Sequence, residues 1–242
     1  MTNALAPAVF VDRDGTIMED CDYCSDPKDV RIFPSVREAL LRLKSKGFKL
    51  IIITNQSGIG RGLMTAKQYR AVEAEALRQL DGLIEATYFC PDVPGQHSGY
   101  RKPEPGMILQ AKREHGIDLS RSFFIGDKEI DVECGRNAGV RTIRLQTGFQ
   151  HDTAGSTADW VAEDLPAAAE ISPGAEASFL AGASRPAACA ARRAAAMKLD
   201  FPPGSAMTGG LAPASAASEA AMRSAGEPGW RPRVAPKPGS SG

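Results

Sequence analysis

Two aspartates one residue apart, Asp12 and Asp14, follow an apolar run and precede a Gly15-Thr16 turn. Such a run reads as a buried strand, and an unpaired charge inside it would be very costly. Both carboxylates must therefore emerge where the strand ends. The arrangement recurs along the chain. Thr54 and Asn55 follow the apolar run 48–53, Arg101 and Lys102 lie in the loop after Ala86–Cys90, and Asp127 and Asp131 follow 122–126. In an open parallel sheet these strand ends share one edge, where ligands bind. Carboxylates gathered there repel one another unless a hard cation sits among them. Mg²⁺ is the natural candidate, since it takes a few oxygens and keeps several waters. Lysine, arginine, a threonine hydroxyl and loop amides suit the oxygens of a phosphoryl group. Singly, each cluster has a plainer reading: an Asp-Gly turn, a helix cap, a solvated Arg-Lys pair, first-turn helix acids. Their joint recurrence at strand ends favours a site.

The elements that must position these residues are legible from periodicity. Ser35 to Glu38 has the pattern of a capping box. Val36, Leu40 and Leu43 follow at helical spacing, and Gly47 is the expected stop. Thr65 to Gln68 opens a second helix in the same way, with Tyr69, Val72, Ala76, Leu77 and Leu80 on its apolar face. Further helices are expected at Gly106–His115 and around Asp131, closed by Gly116 and Gly139, with a fifth strand at 140–145. Strands alternating with helices at these spacings predict an α/β fold, a Rossmann-like doubly wound parallel sheet. Residues 17–34 read as an irregular loop. The pattern dissolves beyond about residue 165, and residues 172–242 are rich in Ala, Pro, Gly and Ser. That composition cannot bury enough surface to offset its ordering entropy, so a folded domain over 1–171 and a disordered tail over 172–242 are expected.

The 242 residues are 43% hydrophobic with no formal net charge. The tail holds eight basic against four acidic residues, which leaves an acidic excess on 1–171. That disfavours a nucleic-acid-reading surface. Five scattered cysteines read as reduced thiols. The start has no signal-peptide pattern, and no apolar run approaches membrane-spanning length. A soluble cytoplasmic protein without membrane or nucleic-acid partners is expected.

Asp12-Arg13-Asp14-Gly15-Thr16, Thr54, Lys102 and Gly126-Asp127-Lys128-x-x-Asp131 resemble the four motifs of the haloacid-dehalogenase (HAD) superfamily of phosphatases. Within it, FVDRDGT, TNQSGIGRG, RKPEPGM and FFIGDK are similar to the D-glycero-D-manno-heptose 1,7-bisphosphate phosphatases and the related histidinol-phosphate phosphatases. The match covers roughly residues 8–150, with all four motifs in order. The resemblance implies that Asp12 is the nucleophile, forming an aspartyl-phosphate, and that Asp14 is the acid and then the base. Thr54 and Lys102 would bind the transferring phosphoryl oxygens. Asp12, the Asp14 main-chain carbonyl and Asp127 would hold Mg²⁺, with Asp131 orienting that shell. Arg13, Asn55, Gln56, Ser57, Arg101 and Lys128 are the expected substrate contacts.

The chain departs from that family in one loop. A structural zinc loop usually starts Cys-x-His and ends Cys-x-Cys before the Arg-Lys pair. Here only Cys90 matches, with His97 as a stray candidate, so zinc is not expected. Cys21 and Cys24 form a CxxC with no second half. They read as two loop cysteines near the pocket. His115 and His151 read as surface residues. No large insertion separates the motifs, so a capless fold is expected, with residues 58–62 and 17–34 lining an open pocket. The expected substrate is a small phosphorylated sugar acted on by a monomer. The readings left open are histidinol phosphate, a broader phosphomonoester range, a non-catalytic phosphosugar-binding domain, and a nucleic-acid end phosphatase.

Overall fold

Phe10 alternates with Val9 and Val11 along β1 (Ala8–Val11), and this places the strand between two hydrophobic layers. The computed structural model describes residues 5–96, 98–148, 152–172 and 233–234. All of these belong to one compact unit. β1 pairs in parallel with β2 (Lys49–Asn55) on one side and β4 (Phe123–Gly126) on the other. Beyond β2 lies β3 (Ala86–Cys90), and beyond β4 lie β5 (Arg141–Leu145) and β6 (Trp160–Ala162), all parallel. β7 (Arg233–Val234) adds two antiparallel residues to the β3 edge. The order is therefore β6-β5-β4-β1-β2-β3-β7. The chain builds outward from β1 on one side and then restarts at β4 on the other. Such a switch point opens a crevice at the carboxyl ends of the two strands.

One face of the sheet packs on α1 (Val36–Ser45) and α6 (Leu165–Ile171), where Val36, Leu40, Leu43 and Leu165 meet Val9, Val11 and Leu50. The other packs on α4 (Gly106–His115) and α5 (Glu129–Ala138) through Met107, Ile108, Ala111 and Cys134. α3 (Ala66–Gln79) and the 17–34 loop share a smaller cluster of Met18, Cys24, Val30, Val72 and Ala76. The doubly wound sheet expected from the alternation of elements is the observed one. Among the described residues no further folded unit interrupts the motifs, as the short spacings imply.

Several local expectations resolve differently. Thr65 and Gln68 form the expected reciprocal capping box. Ser35 does not, for its backbone is left-handed (φ 60°, ψ 4°) and its side chain caps nothing. Pro34 and Ser35 instead form the corner of a turn in which the Val36 amide donates to the Phe33 carbonyl at 3.3 Å. Proline followed by a positive φ is a type II geometry, and it overrides the cap. β6 and α6 occupy 160–171, where the sequence pattern suggests no particular element. A three-residue strand and an alanine-rich helix carry too few large apolar residues to register. His115 is half-buried rather than on the surface, its Nε2 3.1 Å from the Tyr88 hydroxyl. His97, His151 and the tail expectation beyond Ser172, apart from β7, fall outside the described residues. No helix among them is long and apolar enough to cross a membrane.

Candidate active site

At the switch point the ends of β1 and β4 bring Asp12 and Asp127 together. The Asp12 amide still donates to the Ile125 carbonyl at 3.0 Å, so the sheet ladder carries this residue to the rim. Asp131 enters one turn into α5. Its Oδ2 accepts the Lys128 amide at 3.0 Å, which anchors it to the N-terminus of its own helix. The carboxylates of Asp12, Asp127 and Asp131 are all buried, and one oxygen from each lies within 4.8 Å of the others.

Lys102 reaches this cluster from the loop after β3. Its buried Nζ lies 2.8 Å from Asp12 Oδ1 and 2.6 Å from Asp131 Oδ1, and it donates to the Ile53 carbonyl at 3.1 Å. Burial opposes its charge, but the two carboxylates outweigh that and hold its pKa above the ordinary lysine value. One ammonium does not balance three carboxylates. Burial first, and then the Asp12 and Asp131 charges, push the Asp127 carboxyl up to about 7. Burial likewise pushes Asp131 up to about 6, against the pull of Lys102.

Asp127 fits the cation that the sequence implied. Its Oδ2 is buried with no hydrogen-bond partner, while Oδ1 accepts from the Thr16 hydroxyl at 3.4 Å. Two glycines enclose it. A Cβ on Gly15 or Gly148 would sit 2.5 or 2.2 Å from Oδ2, and both residues have positive φ, 83° and 74°. The Thr147 hydroxyl ties this loop to the Gly15 carbonyl at 2.6 Å. An orphaned carboxylate oxygen in a glycine cradle beside two more carboxylates is a hard-cation donor set.

The cluster opens into a cavity of about 280 Å³. Every residue expected to act in catalysis or to touch substrate borders it, as does Asp131, with Asp127 buried beneath. Their polar groups are not equally free. Arg13, 1% exposed, closes its fork on Asp14, Nε to Oδ1 and Nη2 to Oδ2 at 3.0 Å each. Its guanidinium lies 5.2 Å from the centre of the Tyr69 ring. Gln56 Nε2 also donates to Asp14 Oδ2 at 2.7 Å and reaches Thr54 Oγ1 at 3.0 Å. Asn55 joins the main chain of Lys102 on both sides, accepting from its amide at 3.0 Å and donating to its carbonyl at 3.2 Å. Arg101 donates to the Asp92 carbonyl at 2.7 Å, and Lys128 pairs with Asp20 at 3.1 Å. Ser57 starts the single turn α2 (Ser57–Gly60).

The far wall comes from the 17–34 loop, through Asp20, Asp22, Tyr23 and Cys24. Sequence reasoning placed that loop and Cys24 at the pocket without singling out Asp20, Asp22 or Tyr23. It also passed over Gly148, because a glycine after β5 carries no signal until Asp127 is seen against it. Cys90 ends β3 as expected, with Ser98 Oγ 4.0 Å from its thiol.

Comparison with known proteins agrees with this geometry. A HAD-hydrolase-like family model matches residues 99–168. D-glycero-beta-D-manno-heptose-1,7-bisphosphate 7-phosphatase of Helicobacter pylori is 42% identical over 144 residues, 58% of this chain and 83% of the relative. D-glycero-D-manno-heptose-1,7-bisphosphate 7-phosphatase of Thermosynechococcus vestitus is 36% identical over 187 residues, 68% of this chain and 94% of the relative. Among solved structures, D,D-heptose 1,7-bisphosphate phosphatase from B. bronchiseptica, complexed with magnesium and phosphate, superposes with a TM-score of 0.64. It is 30% identical and covers 68% of this chain and 97% of its own. The chain thus belongs to the D-glycero-D-manno-heptose-1,7-bisphosphate 7-phosphatase family of HAD hydrolases.

Proposed function

We propose that the protein removes the 7-phosphate of D-glycero-D-manno-heptose 1,7-bisphosphate in a Mg²⁺-dependent reaction. The observation that carries this reading is the buried Asp12 carboxylate at the floor of the cavity, with Lys102 on one oxygen and Asp127 and Asp131 beside it. The names of the relatives supply the sugar.

Asp12 attacks phosphorus, the ester oxygen leaves, and an aspartyl-phosphate forms. Asp14 gives the leaving alkoxide its proton and then removes one from the water that hydrolyses the acyl phosphate. The Thr54 hydroxyl and the Lys102 ammonium hold the phosphoryl oxygens as they pass from one partner to the other. Asp12, the Asp14 carbonyl and Asp127 would hold Mg²⁺, with Asp131 orienting the set. When bound, the ion offsets the charge of the carboxylates and of the phosphoryl group. Gln56, Ser57, Arg101 and Lys128 contact the substrate. Arg13 acts through Asp14, and Asn55 acts through the Lys102 backbone. The zinc loop of the family is left out of this reading, because only Cys90 stands in its positions.

The working unit is residues 1–171, a cytoplasmic monomer that handles small phosphorylated sugars and not nucleic acid, with 172–242 as an appendage. Phosphate release from heptose bisphosphate, histidinol phosphate and a 5′-phosphorylated oligonucleotide tests the reading, with Asp12→Asn as control. Heptose bisphosphate should be preferred and the variant inert. Equal release in excess EDTA would overturn it.

A further inference from the structure

Cys21 and Cys24 flank a reversal of the cavity wall in which both intervening residues, Asp22 and Tyr23, have left-handed backbone, φ 52° and 63°. Two successive positive φ values turn a chain tightly back on itself. Here the reversal sets Cys21 and Cys24 at the two ends of one four-residue bend, the spacing at which the Cα atoms of a turn approach within about 7 Å. The two differ in access. Cys21 is exposed, whereas Cys24 is buried in the cluster with Met18, Val30, Val72 and Ala76. Burial pushes the Cys24 thiol up to about 12, so the exposed partner is the one that reacts first. Cys90 and Cys134 lie elsewhere in the core, beside Ser98 and the Glu104 carbonyl.

The turn also belongs to the cavity. Asp20 holds Lys128 at 3.1 Å, and the Tyr23 ring lies so close to Gly58 that a Cβ there would meet Cδ1 at 2.6 Å. A covalent change at Cys21 therefore acts on two cavity-lining groups within two residues of it.

We propose that Cys21 and Cys24 are a reversible modification site, a dithiol that exchanges with a low-molecular-weight disulfide to close a bond in the cavity wall. The Cys21 thiolate attacks one sulfur of RSSR, and the S–S bond breaks with release of RS⁻, which takes up the proton Cys21 gave up. Cys24 then attacks the Cys21 sulfur, loses its proton and expels the second RSH. Two protein thiols become one disulfide, and RSSR becomes two RSH. Closing the sulfurs to bonding distance, about 2.0 Å, draws Cys21 toward the cluster and Asp20 away from Lys128. Substrate then meets an altered rim while the carboxylate cluster is untouched. The site stands on the thiol pair alone; its effect on turnover rests on the phosphatase reading.

The full chain, reduced and then equilibrated with oxidised glutathione, tests both parts. Peptide mapping should find Cys21 linked to Cys24 with the loss of two hydrogens, reversed by dithiothreitol. Phosphate release should show KM raised about two- to fivefold, the worth of one part-exposed ion pair, with kcat nearly unchanged. Cys21→Ser, whose side chain does not line the cavity, should keep the reduced KM and ignore glutathione. Glutathione mixed disulfides without the 21–24 linkage, or unreacted thiols, would overturn the site. A mapped linkage with unchanged KM would overturn the effect on the rim. The mapping decides the first point whether or not the reduced protein turns over.

Discussion

Arg13 holds both carboxylate oxygens of its own neighbour, Asp14, with a guanidinium that is itself buried. A planar guanidinium fixes a carboxylate in one orientation as a single ammonium does not. With Gln56 on Oδ2, three donors determine where Asp14 points. Arg13→Lys should keep the charge and lose the fork, and kcat on a sugar phosphate should fall about tenfold or more. On an aryl phosphate, whose leaving group needs no proton, the loss should be clearly smaller. Equal losses on both esters would show that Arg13 does not act through Asp14.

Asp12→Asn removes the nucleophile and should lower turnover by at least about 10³-fold. Rapid-quench sampling with ³²P-labelled substrate should trap an acid-stable phosphoprotein in the wild type and none in the variant. Labelled variant would mean that another residue carries the phosphoryl group.

The Asp127 carboxyl gives a pH signature with a definite sign. Its folded pKa is raised to about 7 from the ordinary aspartate value, so between about pH 4 and 7 the folded state holds more protons than the unfolded state. Metal-free stability therefore falls as pH rises through that window. Asp127→Asn should flatten this dependence in Tm measurements made in EDTA. Mg²⁺ should raise the wild-type Tm at pH 7.5 far more than at pH 5.5, because the proton and the cation compete for one site. Mg²⁺ stabilising Asp127→Asn as strongly as the wild type would contradict the assignment.

Gly148→Ala tests the cradle. Its Cβ would fall 2.2 Å from Asp127 Oδ2 at a φ of 74°, so both backbone and carboxylate must shift. The left-handed conformation costs an L-residue about 1–2 kcal/mol. The displaced carboxylate should raise the Mg²⁺ concentration for half-maximal activity about tenfold, the loss expected for metal-site supporting groups. An unchanged metal requirement would remove Asp127 from the donor set.

Ser35 and Thr65 carry the same sequence signal, and only one of them caps a helix. Thr65→Ala should cost about 1 kcal/mol, whereas Ser35→Ala should change stability by less than about 0.5 kcal/mol. Urea denaturation of the two variants checks this, and equal losses would contradict the turn at Pro34.

The doubly wound parallel sheet and the gathering of polar groups at one edge were legible from residue types, because a buried strand cannot hold a carboxylate and parallel strands end on the same side. Asp12, Asp127 and Asp131 were found that way. The weaker elements β6 and α6 were not, since their few apolar residues matter only once they lie against Phe123 and α1. The chain by itself determined which strand-end groups reach the cavity. Tertiary structure alone decided which are free to act: the fork of Arg13 on Asp14, the amide of Asn55 on Lys102, and the closeness of Gly148 to Asp127. Each depends on distances between segments remote in sequence or on a chosen rotamer, and local propensity carries no information about either.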